Sequence, residues 1–186
     1  PDLPTVSGLK TISDMTEIAF EWPLMAQSNI GGFYLYRSNP NANNQLNAIA
    51  KLEDKFITHY VDSNLAPSTE YIYELRTYDN QGNISAEGER ISVTTTPLIE
   101  SVSFIQALYG LPNKIKVLWR PHPDLRVVSY ILEKSALSSN NWHEVARING
   151  RLNVEYIDND VNPGQSYRYR ILVKTHNGII SAPSKV

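Results

Sequence analysis

The chain has 186 residues, 41% of them hydrophobic, which is enough to bury one or two real cores. With 17 Lys+Arg against 19 Asp+Glu the net charge is −2 and the pI about 6.1, a balance that argues against a dedicated nucleic-acid binder. There is no Cys, which excludes a disulfide framework, a thiolate nucleophile, an iron–sulfur cluster and a cysteine-held zinc.

The chain opens PDLPTVSG, with neither an initiator Met nor a signal-peptide pattern. It reads as a mature fragment, so any targeting segment is out of view. No run of about 18 apolar residues follows. TEIAFEW (16–22) and GFYLYRS (32–38) alternate apolar and polar residues, the period of a half-buried strand. NPNANN (39–44) and DNQG (79–82) are turn signals. No segment sustains a 3.6-residue period, so helix is not expected. ISVTTT (91–96) reads as a closing strand, and TTTPLIES (94–101) follows directly, with Pro97 fixing its own φ.

Beyond that point the pattern returns. Residues 57–86 recur, diverged, as 154–182: Tyr60, Asp62, Pro67, Tyr71 and Tyr73 match Tyr156, Asp158, Pro163, Tyr167 and Tyr169, all 96 apart. AIAKL (48–52) matches EVARI (144–148) at the same offset. Trp22 matches Trp119, and FYLYRS (33–38) matches YILEKS (130–135), at 97. Two copies of one module are implied, over 1–96 and 97–186. About seven short strands in each suggest a two-sheet sandwich. The short join predicts an elongated, semi-rigid tandem. Copy two ends at Ser184-Lys185-Val186, where copy one has Glu89 and Arg90. It is therefore expected to be cropped before or within its last strand, with a further module beyond.

These residues resemble the fibronectin type III family. A Trp in the second strand is followed by L-x-P-x-T-x-Y-x-Y, carried by Leu65, Pro67, Thr69, Tyr71 and Tyr73. Val161, Pro163, Tyr167 and Tyr169 carry it in the second copy. The resemblance implies an all-β fold of two tandem immunoglobulin-like sandwiches. It makes Tyr71 and Tyr167 tyrosine-corner residues, whose hydroxyls bond back to the preceding loop.

Chemistry is sparse. His59, His122, His143 and His176 fit no metal-ligand spacing, with His59 expected in a strand and the rest in or near loops. No nucleophile elbow, P-loop or dinucleotide fingerprint occurs, and the carboxylates are scattered. No catalytic role, cofactor, metal or small-molecule substrate is expected. Neither Arg-Gly-Asp nor W-S-x-W-S is present. Asn149-Gly150-Arg151 reads as a turn, and Asn83-Ile84-Ser85 is a glycosylation sequon only in a eukaryotic secretory setting. Trp142 has no aligned partner, and as an exposed ring it would suit a sugar-binding accessory module.

Charge separates the copies. Residues 1–96 hold 6 Lys+Arg and 12 Asp+Glu, a net of −6, while residues 97–186 hold 11 and 7, a net of +4. A basic second module suits an acidic protein partner, with Arg120, Arg126, Arg147, Arg151, Arg168 and Arg170 as candidate contacts. Arg168 and Arg170 alternate with Tyr167 and Tyr169, so they take the outer face if the tyrosines point inward. Between two strands of this module lies WRPHPDLRV (119–127). Trp119 aligns with the family's buried Trp. Pro121 and Pro123 stiffen the loop, and a stiff loop loses little entropy on binding. Arg120, His122, Asp124 and Arg126 are then expected to be displayed.

This segment and the module order resemble the fibronectin-like adhesin lipoproteins of Campylobacter and related bacteria. The resemblance implies a bacterial cell-surface, outer-membrane lipoprotein that binds host fibronectin. Its N-terminal lipid anchor would lie outside this chain. The family's binding segment is the B–C loop of the second module, which falls on Trp119, Arg120, Pro121, His122, Pro123, Asp124, Leu125, Arg126 and Val127. The rival reading is a passive spacer in a multidomain surface or secreted protein.

Overall fold

A computed structural model describes residues 2–186. They fall into two compact units, which divide between Pro97 and Leu98. In module 1 the strands are β1 (Lys10–Ser13), β2 (Ile18–Glu21), β3 (Gly32–Asn39), β4 (Gln45–Leu52), β5 (His59–Asp62), β6 (Glu70–Tyr78) and β7 (Arg90–Thr94). In module 2 they are β8 (Ile105–Leu111), β9 (Lys114–Trp119), β10 (Val127–Ala136), β11 (His143–Asn149), β12 (Glu155–Asp158) and β13 (Tyr167–Thr175). All pairings between them are antiparallel.

Module 1 stacks the sheet β1-β2-β5 on the sheet β4-β3-β6-β7. Module 2 stacks β8-β9-β12 on β11-β10-β13. Each unit is a two-sheet antiparallel β-sandwich. The alternation seen in the sequence decides which side chains meet between the sheets. Ile18 and Phe20 of β2, Phe33 and Leu35 of β3, and Tyr71, Tyr73 and Leu75 of β6 fill the first core. Val117 and Trp119 of β9, Tyr130 and Leu132 of β10, and Tyr169, Ile171 and Val173 of β13 fill the second. Trp22 packs edge-on to Phe33 at 5.5 Å, and Trp119 packs edge-on to Tyr130 at 5.4 Å. The bulge between Leu35 and Tyr36 recurs between Leu132 and Glu133.

Both tyrosine corners form. The Tyr71 hydroxyl accepts from Ala66 N at 2.9 Å, and the Tyr167 hydroxyl accepts from Asn162 N at 2.9 Å. The modules differ at one edge. β7 pairs with β6 from Glu70↔Thr94 to Glu74↔Arg90, whereas among the described residues β13 has only the strand β10 beside it. There, Ser184 N donates to Ile171 O at 2.8 Å, and Ile171 N donates to the Ser184 hydroxyl at 2.9 Å. Among the described residues no helix occurs.

Candidate functional site

The loop joining β9 to β10 is held from inside. Trp119 is the last residue of β9 and lies in the core, as its alignment with Trp22 implies. Two residues on, φ is fixed at Pro121 and again at Pro123. Between the prolines His122 points inward and is only 7% exposed. This corrects the expectation that His122 is displayed. Its backbone N donates to the Tyr130 hydroxyl at 2.9 Å, and its Nδ1 accepts from Asp124 N at 3.0 Å. That leaves Nε2–H to donate to Glu100 O at 2.9 Å. The ring therefore joins the loop to the segment that enters β8. No alternation rule applies in a loop, so no local pattern marks this His as one that turns in.

A second clamp comes from the turn after β11. Arg151 Nη1 donates to His122 O at 2.9 Å. The Tyr130 hydroxyl, which accepts from His122 N, donates to Arg151 O at 2.6 Å. Burial, the chief cause, raises the Tyr130 pKa above its ordinary value, so the hydroxyl stays protonated and able to donate. Arg151 is thus a clamp between loops rather than a freely displayed cation.

The acidic and basic groups of the loop largely satisfy each other. The Arg126 guanidinium donates to the Asp124 carboxylate through Nε at 3.1 and 3.2 Å and through Nη2 at 2.9 Å. Arg126 N adds a bond to Asp124 Oδ1 at 2.9 Å. The Arg126 side chain first, and its backbone N–H second, hold the Asp124 carboxyl down to about 2. Asp124 O also accepts from Val127 N at 3.1 Å, and Val127 is buried. Arg120 lies over the Phe104 ring, 4.7 Å from its centroid. Pro121 and Pro123 are exposed, and Leu125 stands out at 80% exposure. Of the nine residues in the segment, Trp119, His122 and Val127 are internal. Leu125, the prolines and the outer side of Arg120 face solvent, with the Asp124–Arg126 pair beside them.

The remaining sequence candidates are drawn into local structure. Arg168 and Arg170 do lie on the outer face, but Trp142 packs against both guanidinium groups, at 5.1 and 4.3 Å. Arg170 Nε donates to Glu133 at 2.7 Å, and Arg168 bonds to Ser139 O and Asn140. Arg147 donates to Glu144 at 2.9 Å. Trp142 is half-buried by this stacking and does not stand clear as a platform.

One group escaped the sequence reading. Lys134 is buried, 2.9 Å from Asp158 Oδ2, and it also bonds to Asp160 O. Its signal was present: Tyr130, Leu132 and Lys134 alternate on one face of β10.

No protein-family model matches the chain. It is 24% identical over 191 residues to exoglucanase B of Cellulomonas fimi, covering 99% of this chain and 16% of that protein. Among solved structures it is similar to a two-module fibronectin type III segment of chicken tenascin, with 16% identity and a TM-score of 0.43, covering 97% of this chain and 96% of that one. It is also similar to the FN1–FN3 domains of chicken CNTN1, with 13% identity and a TM-score of 0.46, covering 100% of this chain and 66% of that one.

Proposed function

We propose that this tandem is a non-catalytic binding unit of a surface protein, and that the β9–β10 loop of module 2 is its contact element. The partner in this reading is a host extracellular-matrix protein, fibronectin by the resemblance of WRPHPDLRV. The reading rests on the preorganisation of the loop. Two prolines, His122, Tyr130 and Arg151 fix its backbone, while Leu125 projects from it. Contacts made by a preset loop avoid much of the entropy cost of binding. The internal residues of the segment act as scaffold, so a linear peptide that exposes Trp119 is a poor substitute for the folded loop.

A second reading is favoured by a specific observation. Nearly the whole tandem aligns with 16% of an exoglucanase. A spacer beside a catalytic unit in a long secreted enzyme suits that proportion. Such a spacer has no ligand of its own.

Immobilised fibronectin separates the two readings. The 186-residue chain is expected to bind, and the variant Arg120→Ala/Leu125→Ala is expected to lose about tenfold in affinity while remaining folded by circular dichroism. A folded wild-type chain that does not bind fibronectin supports the spacer.

A further inference from the structure

We propose that module 2 carries a two-loop docking surface, made by Leu125 with Leu152, for a protein segment that combines apolar side chains with Asp or Glu. The inference rests on the binding reading above for the first loop. It adds a second loop and the chemistry of the partner.

Leu152 lies in the turn after β11 and is 69% exposed. That turn is fastened to the β9–β10 loop by the Arg151-to-His122 bond and by Tyr130, whose hydroxyl bridges Arg151 O and His122 N, and to the start of β10 by Gly150 N donating to Val128 O at 2.7 Å. Val128 is itself an exposed apolar residue. Two leucines and a valine thus sit on backbone that is tied together, and exposed apolar groups gathered in one place mark contact sites.

Module 1 repeats the arrangement. Lys55, the counterpart of Arg151, donates Nζ to Gln27 O in the loop between β2 and β3, at 3.3 Å. Phe56, the counterpart of Leu152, is 63% exposed, and Leu24 in the β2–β3 loop is 60% exposed. The two modules differ in net charge, −6 against +4. The same end of each module nevertheless keeps a cation reaching to a loop carbonyl, with a large apolar residue exposed on each side.

Charge selects the partner. No carboxylate lies within ion-pair distance of Arg120 or Arg151 among the described residues. The module around them has a net charge of +4. Desolvating these cations favours a partner that supplies acidic groups. The module 1 patch follows Glu53 and Asp54 in a module of net −6, so the same acidic segment is repelled there.

The test uses the whole 186-residue chain, isotope-labelled for NMR, with a soluble heptapeptide of alternating Leu and Asp as probe. Leu125, Leu152 and Arg151 signals are expected to shift, and an alternating Leu/Lys peptide is expected to leave them in place. Leu125→Ser and Leu152→Ser should each weaken peptide binding about tenfold, while Phe56→Ser should not change it. Three outcomes overturn the proposal: no shift at these residues, equal shifts with the Lys peptide, or unchanged affinity in folded Leu152→Ser. Shifts that depend on protein concentration without peptide would make a second copy the occupant and also overturn it. So would shifts produced only by phosphatidylglycerol vesicles. Fibronectin is titrated separately. A wild-type chain that binds the peptide but not fibronectin discards the named partner and keeps the surface.

Discussion

In module 1, Arg37 reaches Asp62 with one guanidinium nitrogen at 2.9 and 3.0 Å, and the Tyr73 hydroxyl donates to the same carboxylate at 2.7 Å. In module 2 the same places hold Lys134, Asp158 and Tyr169, with Tyr169 again donating at 2.7 Å. The carboxylate and the phenol are retained, and the cation changes. Arg37 keeps part of its side chain in water, whereas Lys134 is buried, with the Tyr167 ring 4.3 Å from its Nζ. An Arg can span from core to surface with several donors. A Lys offers a compact charge that must be matched where it lies. One sandwich geometry therefore tolerates two electrostatic solutions, and they should fail differently.

The largest expected effect should be the same in both modules. Trp22→Ala and Trp119→Ala each remove a buried indole stacked edge-on to an aromatic ring. Each should cost about 3–5 kcal/mol of its module's stability by calorimetry. Neither Nε1 has a hydrogen-bond partner among the described residues, so replacement by Phe should cost much less than replacement by Ala. A large gap between the two alanine variants would mean that the repeated core is not energetically equivalent.

The next effect should divide the modules. Asp158→Ala leaves Lys134 buried without its counter-charge, which costs about 3–5 kcal/mol. Asp62→Ala lets Arg37 turn to water, so about 1–3 kcal/mol is expected. Acid should test the module 2 pair. Burial opposes ionisation of Asp158, but hydrogen bonds from Lys134 and Tyr169 outweigh it and lower its pKa. The unfolded-chain value is about 3.9. The stabilisation is therefore complete above that value and is lost as pH falls through the lower folded one. The stability difference between wild type and Asp158→Asn should shrink as pH drops below about 4. A constant difference would remove Asp158 from the account of acid sensitivity.

The family resemblance implied that Trp119 lies in the core and that Tyr71 and Tyr167 form the corners, while the strands themselves were marked by apolar–polar alternation. Lys134 obeys that alternation too, sharing one face of β10 with Tyr130 and Leu132. The loop was harder. His122 is buried by contacts from Glu100, Asp124, Tyr130 and Arg151, which come from four separate places in the chain. No local pattern encodes such convergence. The prolines signalled a stiff loop, but not which side chains it would turn inward. Leu125 sits between charged residues, where no periodic pattern marks its side chain, and it is the most exposed large apolar residue of that loop.

The smallest effect tests whether a neighbouring strand changes the worth of a corner. Tyr71 is buried beside β7, where it pairs with Val93, and the bond it accepts from Ala66 N is partly buried. Removing the hydroxyl with Tyr71→Phe leaves that N–H shielded from water, at a cost of about 1–2 kcal/mol. Tyr167 is only half-buried, and the bond from Asn162 N lies at the exposed surface. Water can replace the lost hydroxyl there, so Tyr167→Phe should cost less than about 0.5 kcal/mol. Denaturant titration of the two variants measures the difference directly. Equal losses would show that corner geometry, rather than the shielding that β7 provides, sets the value of this bond, and the contrast between the two modules at that edge would carry no energetic weight.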